Sequence, residues 1–205
     1  MRLRIVLSAV AVLALGALLA ACGSSSNHPD HTSGTSAGTA TDRAFLNDMT
    51  PHHKSAVAMA MVAQRRAGHP EVKQLADAIV RTQTQEIAQM THLKGQLPVG
   101  DAKSTLGLSM GMMGMSADIS RLEAAKPFDR AFIDDMVPHH QGAVTMAKAE
   151  LAKGTNPIAR ALAQRIIGAQ QKEIGQMNSW RQKWYGAPVP NQPKHGSHSM
   201  SGMKH

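Results

Sequence analysis

One stretch of this chain occurs twice. Asp42 to Ala60 reads DRAFLNDMTPHHKSAVAMA, and Asp129 to Ala147 reads DRAFIDDMVPHHQGAVTMA, with Asp, Phe, Met, Pro, the paired His and the second Met in register. The offset is 87 residues, from His52 to His139, and it holds well beyond the motif. Pro70, Leu75 and Ile79 recur as Pro157, Leu162 and Ile166. Gln83, Glu86, Ile87, Gln89 and Met90 recur as Gln170, Glu173, Ile174, Gln176 and Met177. A unit that buries only one apolar stripe is satisfied by packing on its own copy, so the duplication restricts the fold before any other feature is considered.

Each copy carries a helical period. Phe45, Met49, His52, Ala56, Met59 and Ala63 step by four, three, four, three and four, which is one face of a helix. Gly68 to Pro70 ends that helix and starts another, because proline lacks only an N–H that the first turn does not use. Val72, Leu75, Ile79, Gln83, Glu86, Met90 and Leu93 continue the spacing. Each copy therefore predicts an αα-hairpin. Two hairpins predict an all-α four-helix bundle, with repeat one over 42–97, a Met-rich linker over 98–126 and repeat two over 127–185. No stretch sustains the alternation of a strand. The duplication supplies internally what a dimer of hairpins would, so a monomer is expected.

The ends read differently. Met1-Arg-Leu-Arg, an apolar run from Ile5 to Ala20 and small residues at Leu19-Ala20-Ala21-Cys22 predict a secretory signal peptide over 1–21. The run is short for a membrane span. The Leu-Ala-Ala-Cys sequence resembles a bacterial lipobox, which implies cleavage before Cys22 and lipid on its sulfur. That places the protein outside the cytoplasm, lipid-anchored to the cell membrane. Cys22 is the single cysteine, so neither an intrachain disulfide nor a thiolate cluster can form. Residues 22–41 are Ser-, Thr-, Gly- and Ala-rich and predict a flexible tether. Residues 186–205 read as a disordered tail carrying His195, His198, Met200, Met203 and His205.

Removing the first 21 of 205 residues leaves 20 basic and 14 acidic side chains. This positive charge is spread out, aromatics are scarce, and no nucleic-acid-binding spacing occurs, so nucleic acid is excluded as a partner. The mature chain is instead rich in methionine and histidine, 13 and 11 residues.

Those residue types carry metal chemistry. On a helix Met49 stands three and four residues before His52 and His53, so the three share one side. Asp48 lies four residues before His52 and could orient its imidazole through the other ring nitrogen. Asp135 repeats it, and Gln83 and Gln170 offer further support behind the ligands. Pro51 and Pro138 predict a kink at the histidines. Glu86 falls on the buried stripe of the partner helix, where an unpaired carboxylate costs several kcal/mol. It calls for a cation or a histidine from the facing helix, and Glu173 poses the same choice. The plain alternative is that the methionines fill the core and the His–Glu pairs are structural. Thioether with imidazole and no thiolate favours Cu(I), with Cu(II) open at His and carboxylate positions. Met110, Met112, Met113 and Met115, spaced by glycine in the linker, and the His/Met tail offer accessory ligands; an apolar flap is the alternative for the linker.

The repeated D-x-x-F-x-x-x-M-x-P-H-H-x-x-A-V-x-M-A, followed by Q-x-x-E-I-x-x-M, resembles the bacterial domain-of-unknown-function family number three hundred and five. Its members include copper-tolerance proteins of the CopM type with a ferritin-like bundle. The resemblance spans roughly residues 41–185. It implies copper binding by Met49, His52, His53, Met59, Glu86 and Met90, and by Met136, His139, His140, Met146, Glu173 and Met177 in the second copy. The expected function is an extracytoplasmic copper-binding lipoprotein that buffers, sequesters or hands over copper, with a copper-handling protein as its partner. No catalytic residue is assigned. A di-iron enzyme needs Glu-x-x-His on two helices, which does not occur at the site. Non-covalent haem held by Met and His, and a partner-binding module with structural His pairs, remain the competing readings; no C-x-x-C-H is present.

Overall fold

A computed structural model describes residues 32–98, 104–115 and 117–189, all within the unit His31–His205. The described residues form five helices and no strand: α1 (Thr32–Arg66), α2 (Pro70–Gln96), α3 (Ile119–Ala124), α4 (Phe128–Lys153) and α5 (Pro157–Tyr185). The chain is an all-α bundle of two hairpins, α1–α2 and α4–α5, as the repeat predicts. Prolines open α2 and α5 as expected, and Gly186 closes α5 in the left-handed region at φ 82°. No helix among the described residues is long and apolar enough to cross a membrane.

The first residue of each repeated motif fastens the two hairpins together. Asp129 accepts from Gly68 N and His69 N at 3.0 and 2.8 Å, in the turn between α1 and α2. Asp42 accepts from Thr155 N and Asn156 N at 2.9 and 3.0 Å, in the turn between α4 and α5. Both carboxylates are buried. Hydrogen bonds to a charged acceptor contribute about 1.5–3 kcal/mol each, so each repeat secures the turn of the other. The start of one motif helix thereby meets the end of its copy, and α1 and α4 lie antiparallel.

This crossing divides the core in two. One cluster gathers Met59, Ala63, Val72, Ile79, Phe128, Phe132, Met136 and Met177. The other gathers Phe45, Leu46, Met49, Met90, Leu93, Met146, Leu162 and Ile166. Between them lie the histidines. Each cluster draws on both repeats, so neither hairpin has a core of its own.

Two features differ from the sequence expectations. α1 begins at Thr32, so ten residues read as tether continue the helix; after Pro29 no proline interrupts it before Pro51. The linker contains α3, capped by Asp118, whose side chain accepts from Ser120 N and Arg121 N. Both α1 and α4 run on as helix through Pro51 and Pro138. Residues 1–21, read as a signal peptide, together with Cys22 and the tail residues His195, His198, Met200, Met203 and His205, lie outside the described residues.

Candidate metal centre

His52 and His53 are consecutive on α1, and a step of one residue turns a helix by about 100°. The two rings therefore face different neighbours. His52 points at α4, where its ring lies against that of His139 with centroids 3.7 Å apart. His53 points at α2, where Nε2 donates to Glu86 Oε2 at 2.8 Å. The second copy repeats the arm: His140 Nε2 donates to Glu173 Oε2 at 2.7 Å. All four imidazoles are fully buried. Glu86 and Glu173, expected as ligands, each hold a histidine.

Hydrogen-bond roles follow from the acceptors. His52 Nε2 lies 2.9 Å from Met113 O and 3.1 Å from His139 O, and carbonyl oxygens only accept, so Nε2 carries the hydrogen. The lone pair then sits on Nδ1. That atom has no hydrogen-bond partner among the described residues, and neither do Nδ1 of His53, His139 and His140 or Nε2 of His139. Gln83 Oε1 and both amide atoms of Gln170 share the condition in the same layer. An unsatisfied buried polar atom costs about 1–3 kcal/mol.

The layer excludes charge on its central histidines. Burial, then the neighbouring His53, push the His52 imidazolium down to about 3. Burial, then His52, hold His139 well below the ordinary histidine range. At neutral pH both rings are neutral and their lone pairs are free for coordination.

The methionines flank this layer on two sides. Met49, Met90 and Met146 belong to one core cluster, and Met59, Met136 and Met177 to the other, all fully buried. The sequence leaves open whether the two copies form two sites or share one; the methionines of each copy divide between the two clusters. Met49 and Met59 are ten residues apart on one helix, about 15 Å along the axis, so they stand on opposite sides of the histidines. What the fold assembles is one histidine layer shared by both repeats, with Met49 and Met136 one turn before the histidine pairs. Among the described residues no three His, Cys, Asp or Glu side chains are grouped to hold a metal ion. An ion seated here would draw on thioethers or on few ligands.

The aspartates expected to orient the histidines do something else. Asp48 Oδ2 accepts from Leu106 N at 2.7 Å, and Asp135 takes the Arg121 guanidinium at 2.5 Å. Both fasten the linker; the outer nitrogen of His52 is committed to backbone carbonyls, while His139 has no hydrogen-bond partner on either ring nitrogen among the described residues. Met110 and Met112 are exposed, while Met113 and Met115 are half-buried. A Cβ on Gly142 would overlap the backbone of Met113, and one on Gly114 (φ +67°) would overlap that of Pro138. The methionine turn thus lies on α4 by backbone contact.

Sequence reasoning missed Met113 O as the partner of His52, and Asp42 and Asp129 as turn fasteners. It also missed Glu150, fully buried beside Asp42. Burial, then the nearby Asp42, push its carboxyl up to about 8. The invariance of Asp between the two copies was the available signal for the fasteners; Glu150 had none, since its counterpart is Ala63.

Comparison with known proteins adds five findings. A family model described as Domain of unknown function (DUF305) matches residues 27–94, 42–181 and 159–205. CopM in its Cu(I)-bound form is 39% identical, over 71% of this chain and 98% of that one, with a TM-score of 0.60. CopM in its Cu(II)-bound form is 40% identical over 70% and 97%, with a TM-score of 0.62. A DUF305 protein from Streptomyces coelicolor, described as secreted, is 29% identical over 77% and 99%, with a TM-score of 0.66. An uncharacterized protein, L153 of Acanthamoeba polyphaga mimivirus, is 41% identical over 51 residues, and the chain spans about a third of its length (34%).

Proposed function

The chain belongs to the DUF305 family, and on that footing we propose that it is an extracytoplasmic copper-binding lipoprotein that buffers, sequesters or passes on copper. One observation carries the reading: four buried imidazoles meet in one layer, each with an Nδ1 that no group among the described residues satisfies. Such donors are what a cation takes up. His52 and His139, whose ring centroids lie 3.7 Å apart, would hold it, with Met49 and Met136 contributing sulfur from one turn away and with His53 and His140 next to them at 6.2 and 6.4 Å between ring centroids. Imidazole with thioether and no thiolate suits Cu(I), with Cu(II) as the second state. The likeness to CopM solved with either ion supports both.

Glu86 and Glu173 act behind the ligands. A carboxylate on the outer N–H of an imidazole fixes its tautomer and raises the basicity of the other nitrogen. Two carboxylates, each engaged with a histidine, fall short of the four-Glu set of a di-iron enzyme. The protein is read as a carrier without catalysis. The exposed Met110 and Met112 supply further soft ligands, and Cys22 the lipid anchor.

A second reading has its own support, because His52 ties the linker to α4 through two carbonyls and would do so without any metal. The mature chain with Cys22→Ser separates the two. It is loaded with Cu(I), Cu(II), Zn(II), Fe(II) or haem and the retained amount is measured, then again with all four histidines changed to Ala. Loss of bound copper from a variant whose helical signal persists supports the copper site. Undiminished copper retention sinks it, and loss of the fold favours the structural role.

A further inference from the structure

The repeat is not symmetric where the histidine arms approach solvent. α2 and α5 run antiparallel along one seam, and the offset of 87 residues exchanges its two halves. One half is a cavity of about 500 Å³ whose lining includes Glu71, Ala78, Lys172, Glu173, Gln176 and Trp180. In the other half Arg165 Nη2 donates to Gln89 Oε1 at 3.2 Å, joining α5 to α2. Arg165 is the counterpart of Ala78, and Gln89 that of Gln176. The open half therefore lacks its bridge because alanine stands where its copy has arginine.

Glu173 lines the open half and bonds His140; Glu86, in the bridged half, bonds His53. Their exposures are alike, 16% and 18%, so the halves differ in what can pass and not in whether the carboxylate is wetted. Two carboxylates, Glu71 and Glu173, against one ammonium, Lys172, favour a cation in the open half. We infer that copper reaches and leaves the histidine layer through the open α2–α5 groove, past Glu173 to His140, while the Arg165–Gln89 bridge shuts the twin route to His53. The two arms then differ in role: the His140 arm exchanges the ion, and the His53 arm retains it. This rests on the copper reading above.

The test builds the missing bridge. Ala78→Arg places an arginine opposite Gln176, as Arg165 stands opposite Gln89. In metal-free protein carrying Trp184→Phe, acrylamide quenching of Trp180 should fall, which reports closure without any metal. Stopped-flow loading with Cu(I) from acetonitrile, and its removal by a bathocuproine chelator, should both slow by about tenfold or more with Kd unchanged. Adding Arg165→Ala should restore the rates by opening the twin route. Rates within twofold of the parent, with Trp180 shielded, would overturn the inference, as would a change confined to Kd. If Ala78→Arg leaves quenching unaltered, the rates of Arg165→Ala alone decide: faster exchange supports the bridge as a barrier, and unchanged exchange overturns it. The quadruple His→Ala chain runs in parallel. Copper retained there refutes the site itself, whereas copper lost there with rates indifferent to residue 78 refutes only the route.

Discussion

Glu86 and Glu173 place one oxygen each on an imidazole Nε2, at 2.8 and 2.7 Å, and leave the Nδ1 side of the ring to the interior. Glu86→Gln and Glu173→Gln keep the shape and remove the charge. Each should lower Cu(I) affinity by about 10- to 100-fold, read by chelator competition, with the helical signal intact. Glu150 makes a different prediction. Its carboxyl is raised from 4.5 to about 8, so the folded protein holds a proton that the unfolded chain releases. Stability therefore falls as pH rises from 4.5 to about 8 and levels off above it. Glu150→Gln should remove the fall above neutrality, measured as urea midpoints between pH 7 and 9, where the histidines of the layer no longer titrate. It was invisible beforehand, since Ala63 in the other copy directs attention away from it.

At the level of elements, residues 104–115 of the linker form a strap. Asp48, Asn47 and His52 on α1 hold Leu106, Ser104 and Met113, and Gly142 on α4 admits the Met113 backbone. Gly142→Ala should cost about 1–3 kcal/mol through overpacking and speed proteolytic cleavage within 104–115. The counterpart of Gly142 is Ser55, so this dependence belongs to the second repeat alone. Asp42→Ala and Asp129→Ala should each cost about 2–4 kcal/mol, the bonds to two turn amides being lost together, and comparable values would bear out the reciprocal fastening. The helices themselves were legible from spacing, as were the turns at Gly68–Pro70 and before Pro157. Helix α3 was not: six residues are too short for a period to show.

For the molecule as a whole, the neutral histidine layer ties stability to acidity. His52 is lowered from 6.5 to about 3, and His139 is lowered in the same direction. The unfolded chain takes up protons below pH 6.5 that the folded layer refuses, so stability present at pH 7 is lost on acidification. Each such histidine contributes a slope of about 1.4 kcal/mol per pH unit in that window. Denaturation midpoints of the metal-free protein should fall between pH 7 and pH 5. Bound Cu(I) should raise the midpoint at pH 7, by about 2.7 kcal/mol when free ion stands at a hundredfold Kd.

The sequence by itself determined the hairpins, their boundaries at Pro70 and Pro157, the bundle, and the residue types of the centre. These are local or periodic properties, written into spacing and doubled by the repeat. What only the tertiary structure decided is how the copies combine. Asp42 and Asp129 are 87 residues apart and reach turn amides 113 and 61 positions away along the chain, and no spacing within one repeat announces that. The antiparallel crossing puts Met49 with Met146, and Met59 with Met136, on opposite sides of the histidines. It brings the histidines of both copies into one shared layer, a question the sequence leaves open because a contact between helices depends on which faces meet and at what height. The same crossing makes a single substitution, alanine for arginine at position 78, the difference between an open seam and a bridged one.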